Sequence, residues 1–145
     1  MLVYLLLAAL LTDFSSAGVF YKDCGSVDGT ISNIEVSSCA SEPCQFQKNT
    51  NISVTIDFTS KTVVSSATTV VHGIIAGIPV PFTSVQPDAC KDMSCPLASG
   101  TKYTYKNQVA VLPIYPTIQL VVQWEVKDQD GKDLLCFKIP VRITN

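Results

Sequence analysis

Ile52-Ser53-Val54-Thr55-Ile56-Asp57-Phe58 decides the fold. Apolar side chains stand at every second position, and polar ones fill the gaps. A period of two is the period of an extended strand, so Ile52, Val54, Ile56 and Phe58 share one face. Ser53, Thr55 and Asp57 take the other. A strand with one dry and one wet face needs a second layer to cover the dry one.

The same pattern recurs outward in both directions. Toward the amino end, Ile31 to Val36 reads as a strand, with a shorter one at Val19-Phe20-Tyr21-Lys22. Toward the carboxyl end come Thr68 to Ile75, then Tyr103 to Val111. Ile118, Leu120, Val122, Trp124 and Val126 alternate in a further strand. Asp128-Gln129-Asp130-Gly131 carries the Asp-Gly signal of a hairpin turn. Leu135, Phe137, Ile139, Val141 and Ile143 then form the inward face of the last strand. Pro140 within it predicts an edge or a bulge, because proline cannot donate to a ladder. About seven short strands with turn signals between them, and no helical periodicity, predict one all-β sandwich.

Two stretches break the pattern. Val71 to Phe82 is almost wholly apolar, yet Gly73, Gly77, Pro79 and Pro81 unfit it for a central strand. It reads as an extended, Pro-pinned loop. Leu112-Pro113-Ile114-Tyr115-Pro116 is a second one. Loops that run over a surface are normally polar, so apolar loops point to something apolar bound or touched. The two loops would rim the mouth of an apolar cavity between the sheets, with Phe82 and Tyr115 as flat, rigid gate residues.

The chain has 145 residues, with 12 acidic and 10 basic side chains. That near balance argues against a nucleic-acid partner. Leu2 to Leu11 is an apolar run of signal-peptide length, and Ser15-Ser16-Ala17 supplies small residues for cleavage. Residues 1–17 therefore read as a signal peptide and residues 18–145 as one domain, secreted or lumenal. The six cysteines are 24, 39, 44, 90, 95 and 136. An even count in a secreted chain reads as three disulfides, and six cysteines allow fifteen pairings. The two five-residue separations close most simply as Cys39–Cys44 and Cys90–Cys95, which leaves Cys24 for Cys136. Zinc fits poorly, since the spacing is wrong and the one histidine is isolated.

No catalytic constellation stands out. There is no Gly-x-Ser-x-Gly elbow, no phosphate-cradling glycine loop and no metal-ligand cluster. The sole histidine, His72, sits among valines as a structural imidazole, or as an acid sensor beside the apolar loop. Binding is the better reading than an enzyme.

Lys22-Asp23-Cys24-Gly25-Ser26-Val27-Asp28-Gly29, Val70-Val71-His72-Gly73-Ile74, Gly77-Ile78-Pro79-Val80-Pro81-Phe82, Tyr115-Pro116-Thr117-Ile118 and Trp124 follow one another in this order. In that combination the chain resembles the ML lipid-recognition family, and within it the soluble lysosomal sterol carriers of the Niemann-Pick type C group. The likeness spans the mature chain and all six cysteines. It implies an immunoglobulin-like sandwich with a sterol cavity between its sheets and the same three disulfides. It implies a gate at Phe82, Val111 and Tyr115, with inner wall near Val36, Val54, Pro116 and Trp124. It implies a docking loop at Ile74, Ile75, Ala76, Gly77 and Ile78, which meets membranes and the polytopic lysosomal Niemann-Pick type C sterol transporter. The implied ligand is cholesterol or a related sterol, carried by a monomer in the lysosome lumen without cofactor or metal. A secreted carrier of fatty acids or other small lipids, or a lipid-recognition immune module, would suit the same fold. Asn51-Ile52-Ser53 is a sequon, and a glycan on Asn51 would serve lysosomal delivery.

Overall fold

The computed structural model describes residues 18–145, so the expected signal peptide lies outside the described residues. The chain forms an immunoglobulin-like β-sandwich. Its strands are β1 (Lys22–Asp23), β2 (Gly29–Val36), β3 (Cys44–Gln47), β4 (Thr50–Ser60), β5 (Ala67–Ile75), β6 (Ile78–Phe82), β7 (Lys102–Val111), β8 (Gln119–Asp128) and β9 (Asp133–Thr144). One sheet runs β1-β9-β8-β5-β6, with β3 also on β9; the other is β2-β4-β7. All pairs are antiparallel except β3 with β9.

Among the described residues nine strands replace the seven or so expected. The first strand is shorter than Val19–Lys22 and starts later. Strand β3 has no counterpart among the expected strands, because Cys44-Gln45-Phe46-Gln47 is too short to show a period. It gains its partners only through parallel pairing with the distant Val141 to Thr144.

The alternation in β4 puts Ile52, Val54, Ile56 and Phe58 in the interior, all nearly fully buried. From the facing sheet Val71, Leu120, Val122, Trp124, Phe137, Ile139 and Val141 meet them. Trp124 stacks on Phe137 (centroids 6.3 Å apart, planes at 10°) and meets the edge of Tyr105 across the sandwich. Burying such aromatic side chains removes more apolar surface than any other residue type can.

Pro140 lies at a gap in the outer flank of β9, and the bulge of that strand falls elsewhere. Its strand has partners on both flanks, but the outer flank is shared. β1 covers Phe137 and Lys138, and β3 covers Val141 to Thr144. The oxygens of Cys136 and Thr144 accept bonds from that flank, at Cys24 N and Lys48 N. By strict alternation the peptide group of residue 140 faces the same way, into the gap between β1 and β3. No ladder bond is lost there. The bulge in β9 falls at Leu134, which has no partner between Asp133 and Leu135. That extra residue lets Leu134 and Leu135 both be buried.

Three disulfides are formed: Cys24–Cys136, Cys39–Cys44 and Cys90–Cys95. The first ties β1 to β9 across 112 residues of sequence. The segment from Ser84 to Asp88 closes one side of the sandwich. Its early residues bond β7, where Ala110 N donates to Ser84 O, and its later ones bond β5, where Thr69 N donates to Pro87 O.

Candidate functional site

The Pro-pinned stretch is a hairpin, not a loop. β5 turns through Ala76-Gly77 into β6, with Ile75 opposite Ile78. Both turn residues have positive φ, 50° for Ala76 and 79° for Gly77, the signature of a two-residue type I′ turn. Ile75 and Ile78 then form a bonded pair, and alternation makes Ile74–Pro79 and His72–Pro81 non-bonded ones. Each proline therefore turns its missing N–H to the open edge. This is how an apolar Pro-x-Pro segment can be a strand at all, and β6 is an edge strand.

The hairpin carries Phe82 back over β5. Gly73 makes room for it: a Cβ there would stand 2.7 Å from Phe82 Cε2 and 2.8 Å from Leu120 Cδ1. The Phe82 ring meets Tyr115 edge-on, with centroids 5.1 Å apart and planes at 90°. Below these two rings lies an apolar cleft lined by Gly73, Ile75, Pro116, Ile118, Leu120 and Ile143, among others. Its volume is about 60 Å³, room for about two waters. A pocket for a small organic ligand takes at least about 300 Å³. The wide cavity expected between the sheets is thus a narrow cleft, because these apolar side chains fill that end of the interior.

Of the expected gate and wall, the structure brings Phe82, Tyr115 and Pro116 together at the cleft. Val111, Val36, Val54 and Trp124 lie deeper, buried in the core, and do not line the cleft. Of the expected docking loop, Ile74 and Ile75 are half-buried strand residues, and Ile75 lines the cleft itself. Ala76, Gly77 and Ile78 are exposed. Val80 and Ile114, expected in the two apolar loops at the mouth but not in the docking loop, are exposed as well: Ile78 is 64% exposed, Val80 44% and Ile114 84%. Ile114 stands beside Tyr115 in an apolar loop, a signal that was legible. His72 is half-buried opposite Gln123 and Pro81, on the face of β5 turned away from the interior. Asn51 is exposed on β4 and borders a polar groove with Ser53, Lys106 and Gln108.

A knot of buried polar groups joins the sheets deeper inside. Tyr105 Oη lies 2.7 Å from Thr69 Oγ1 and accepts from Asn107 Nδ2 at 2.9 Å and Trp124 Nε1 at 3.3 Å. Burial pushes the Tyr105 hydroxyl up to about 12, so it stays a neutral donor. Among the described residues one carboxylate group has metal-ligand spacing, Glu125 and Asp133 with Cys136. The Cys136 sulfur is in a disulfide, and Lys127 Nζ sits 3.1 Å from a carboxylate oxygen of each acid. An ammonium already occupies that place.

Residues 18–143 match the family model described as the ML domain. The chain belongs to the ML-domain family. It is 42% identical over 142 residues to the mouse NPC intracellular cholesterol transporter 2, covering 97% of this chain and 95% of that one. It is equally close, 42% over 147 residues and 99% of each chain, to the ecdysteroid-regulated 16 kDa protein of Manduca sexta. Among solved structures it is similar to a Niemann-Pick type C2 protein from the Japanese carpenter ant, with a TM-score of 0.81 and 30% identity. That match covers 87% of this chain and all of the other.

Proposed function

We propose that this ML-domain protein binds a sterol, cholesterol or a close relative, between its two sheets and passes it to a membrane or an acceptor protein. The observation that carries this is the apolar cleft that opens under two mutually packed aromatic rings at one end of the sandwich. The full-length likeness to cholesterol transporters supports the choice of ligand. The reading is of a carrier, not an enzyme, and needs no cofactor or metal. A sterol enters by parting Phe82 from Tyr115, and Val36, Val54, Val111 and Trp124 become wall as the core yields. Hydrophobic burial supplies the affinity. About 28 heavy atoms at about 0.3 kcal/mol each give about 8 kcal/mol, a micromolar dissociation constant.

Three of the exposed apolar side chains flank the mouth. Ile78 and Val80 lie on the hairpin, and Ile114 is on the opposite loop. Each isoleucine withdrawn from water is worth about 1.5–3 kcal/mol, enough together for brief contact with a bilayer or with the polytopic lysosomal sterol transporter. The protein would work as a monomer, after removal of residues 1–17, as a secreted or lysosomal-lumen protein with a glycan at Asn51. The narrowness of the cleft favours a second ligand class, fatty acids and other single-chain lipids, which need less opening than a four-ring sterol.

The test pairs binding with transfer. Purified protein is titrated with a fluorescent sterol and with a fluorescent fatty acid, then mixed with liposomes. Sterol should bind the more tightly. Ile78→Asp with Ile114→Asp should slow transfer to liposomes at least tenfold and leave affinity within about twofold, since neither lines the cleft. Preference for the fatty acid would replace the sterol reading, and unchanged transfer would remove these side chains from docking.

A further inference from the structure

The polar groove beside Asn51 is far wider than the apolar cleft. Its volume is about 660 Å³, against about 60 Å³ for the cleft. Sites that hold a drug-sized molecule run from about 300 to 1,000 Å³. The floor is the outer face of two paired strands. Asn51, Ser53 and Thr55 turn outward from β4, and their partners across the ladder are Ala110, Gln108 and Lys106 of β7. Opposite Asn51 there is only the methyl group of Ala110, so that end is roomy. Lys106 lies at the other end, its backbone N–H donating to Asp92 O at 3.0 Å. One wall is the segment from Ser84 to Asp88, which crosses beside β7 and puts Ser84 and Gln86 against the groove.

The groove has bonding capacity to spare. Ser53 and Gln108 use their backbone N–H groups, on Ser37 Oγ and Asn107 Oδ1, which leaves the hydroxyl and the amide to whatever lies above them. Among the described residues the ion pairs are those of Lys127, so the Lys106 ammonium is free. Hydroxyl, amide, ammonium and the Asp92 carboxyl together suit a ligand rich in both donors and acceptors, as a sugar is. No aromatic ring lines the groove among the described residues, so a free sugar would find no face to stack on. A tethered sugar needs none, because the tether holds it at a high effective concentration. The wall also has a second task. Ser84 Oγ donates to Ala110 O at 2.7 Å, so Tyr115 must be the donor in its 2.9 Å bond to Ser84. The segment that carries this anchor is bound to β7 by two further bonds of 3.2 Å, Ala110 N to Ser84 O and Asn107 Nδ2 to Gln86 O.

We propose that the glycan on Asn51 lies in this groove and clamps the Ser84–Asp88 segment, and with it the anchor of the gate residue Tyr115. This rests on the glycan placed at Asn51 in the reading above, and it gives that glycan a task beyond delivery. From Asn51 to Thr55 the strand runs about 13 Å, within reach of the two N-acetylglucosamine units that begin an N-linked glycan. An acetamido group offers an N–H to the Asp92 carboxyl and a carbonyl oxygen to Lys106. Sugar hydroxyls over Ser53 and Gln108 reach across to Ser84 and Gln86, so the glycan ties β4 to the segment on the far side of β7. A segment held from both sides opens less often. The glycan therefore slows release of the lipid and leaves its affinity alone, since no part of the groove touches the cleft.

The experiment uses the protein secreted from a glycosylating host, with intact-mass measurement of the glycan at Asn51. Asn51→Gln removes the glycan, and Ser53→Thr keeps the sequon as a control. Lys106→Ala with Gln108→Ala keeps the glycan and strips its contacts. Hydrogen exchange over Ser84–Asp88, stopped-flow release of a fluorescent sterol and its equilibrium titration are read for each, with melting to check the fold. Asn51→Gln should speed exchange of the segment about fivefold and release about threefold, with affinity within about twofold. The Lys106/Gln108 variant should follow it, and Ser53→Thr should behave as the wild type. Unchanged exchange on loss of the glycan would overturn the clamp and leave the carrier intact. Faster exchange in Asn51→Gln alone would also overturn it, since the glycan would then act without lying in the groove. A secreted protein with a bare Asn51 would remove glycan and clamp together. If the protein binds no sterol, the carrier reading fails, while exchange over Ser84–Asp88 still decides where the glycan lies.

Discussion

Tyr115 is tethered to Ser84, its hydroxyl donating across 2.9 Å to an oxygen that in turn donates to the backbone of Ala110. Its neighbour at the mouth, Phe82, has no such tether and is held only by ring contact. The two gate residues therefore differ in kind. One is fixed by a polar bond, and the other can swing.

The difference can be measured. Tyr115→Phe keeps the ring and removes the tether, so sterol exchange should quicken several-fold with affinity within about threefold. Phe82→Ala removes contact area, so affinity should fall about tenfold. The melting temperature should change little in either variant, because both side chains are only half-buried. Fluorescent-sterol titration, stopped-flow release and thermal melting separate the three quantities. Equal release from Tyr115→Phe and the wild type would show that the tether does not limit opening.

Gly73 is the partner of that freedom. Gly73→Ala would place a methyl group 2.7 Å from the Phe82 ring and 2.8 Å from Leu120. Both obstacles are side-chain ends that can shift, so the domain should fold. Overpacking of this kind costs about 1–3 kcal/mol. Phe82 should be pushed outward, and sterol affinity should fall more than fivefold with a melting loss of a few degrees. Unchanged binding alongside the melting loss would place the bound lipid away from β5.

The sandwich was legible because its strands repeat with a period of two, and Ile52 to Phe58 is a plain instance. The edge position of β6 was half legible. Pro79 and Pro81 ruled out a central strand, but two prolines on alternate residues still fit an edge, where neither N–H is needed. Composition gave no sign of that pairing, which depends on a turn at Ala76-Gly77. Strand β3 was hidden because four residues show no period and its partner lies about a hundred residues away. The polar knot was hidden for a related reason. Thr69, Tyr105 and Trp124 sit on three strands, and nothing local in any of them marks it for the others. The narrowness of the cleft depends on how Phe82, Leu120 and Ile143 fill space together, which no one-dimensional pattern records.

The three disulfides differ in what they constrain. Cys24–Cys136 closes a loop of 112 residues, while the other two close loops of 5. On the chain-entropy model the long loop is worth about 4–5 kcal/mol and a short one about 2 kcal/mol. Cys24→Ser with Cys136→Ser should lower the urea midpoint about twice as far as Cys39→Ser with Cys44→Ser. Similar losses in both double variants would mean that loop length in the unfolded chain does not set what each disulfide is worth here.

The last prediction concerns acid. Asp28 lies beside Asp128, where the hydrogen bond between the two carboxyl groups, with some burial, holds Asp28 above the usual carboxylate range. Asp128 is buried, and its Oδ2 finds no partner unless Asp28 brings a proton. Its other oxygen is committed to the backbone N–H groups of Asp130 and Lys132 in the turn. A carboxyl group raised in the folded state binds its proton more tightly there than in the unfolded chain. It therefore adds stability that is complete below the ordinary aspartate value of about 4 and is lost as pH rises through the raised one. The pair should help the fold in an acidic lumen and weaken it near neutrality. Asp28→Asn imitates the protonated partner at every pH, since its amide can donate to Asp128 Oδ2. The variant should be made in a host that does not glycosylate, because an asparagine ahead of Gly29 and Thr30 would complete a sequon. Its melting temperature should exceed that of the wild type near pH 7, and the gap should close by about pH 3. A gap of the same size at both pH values would mean that Asp28 and Asp128 do not share a proton.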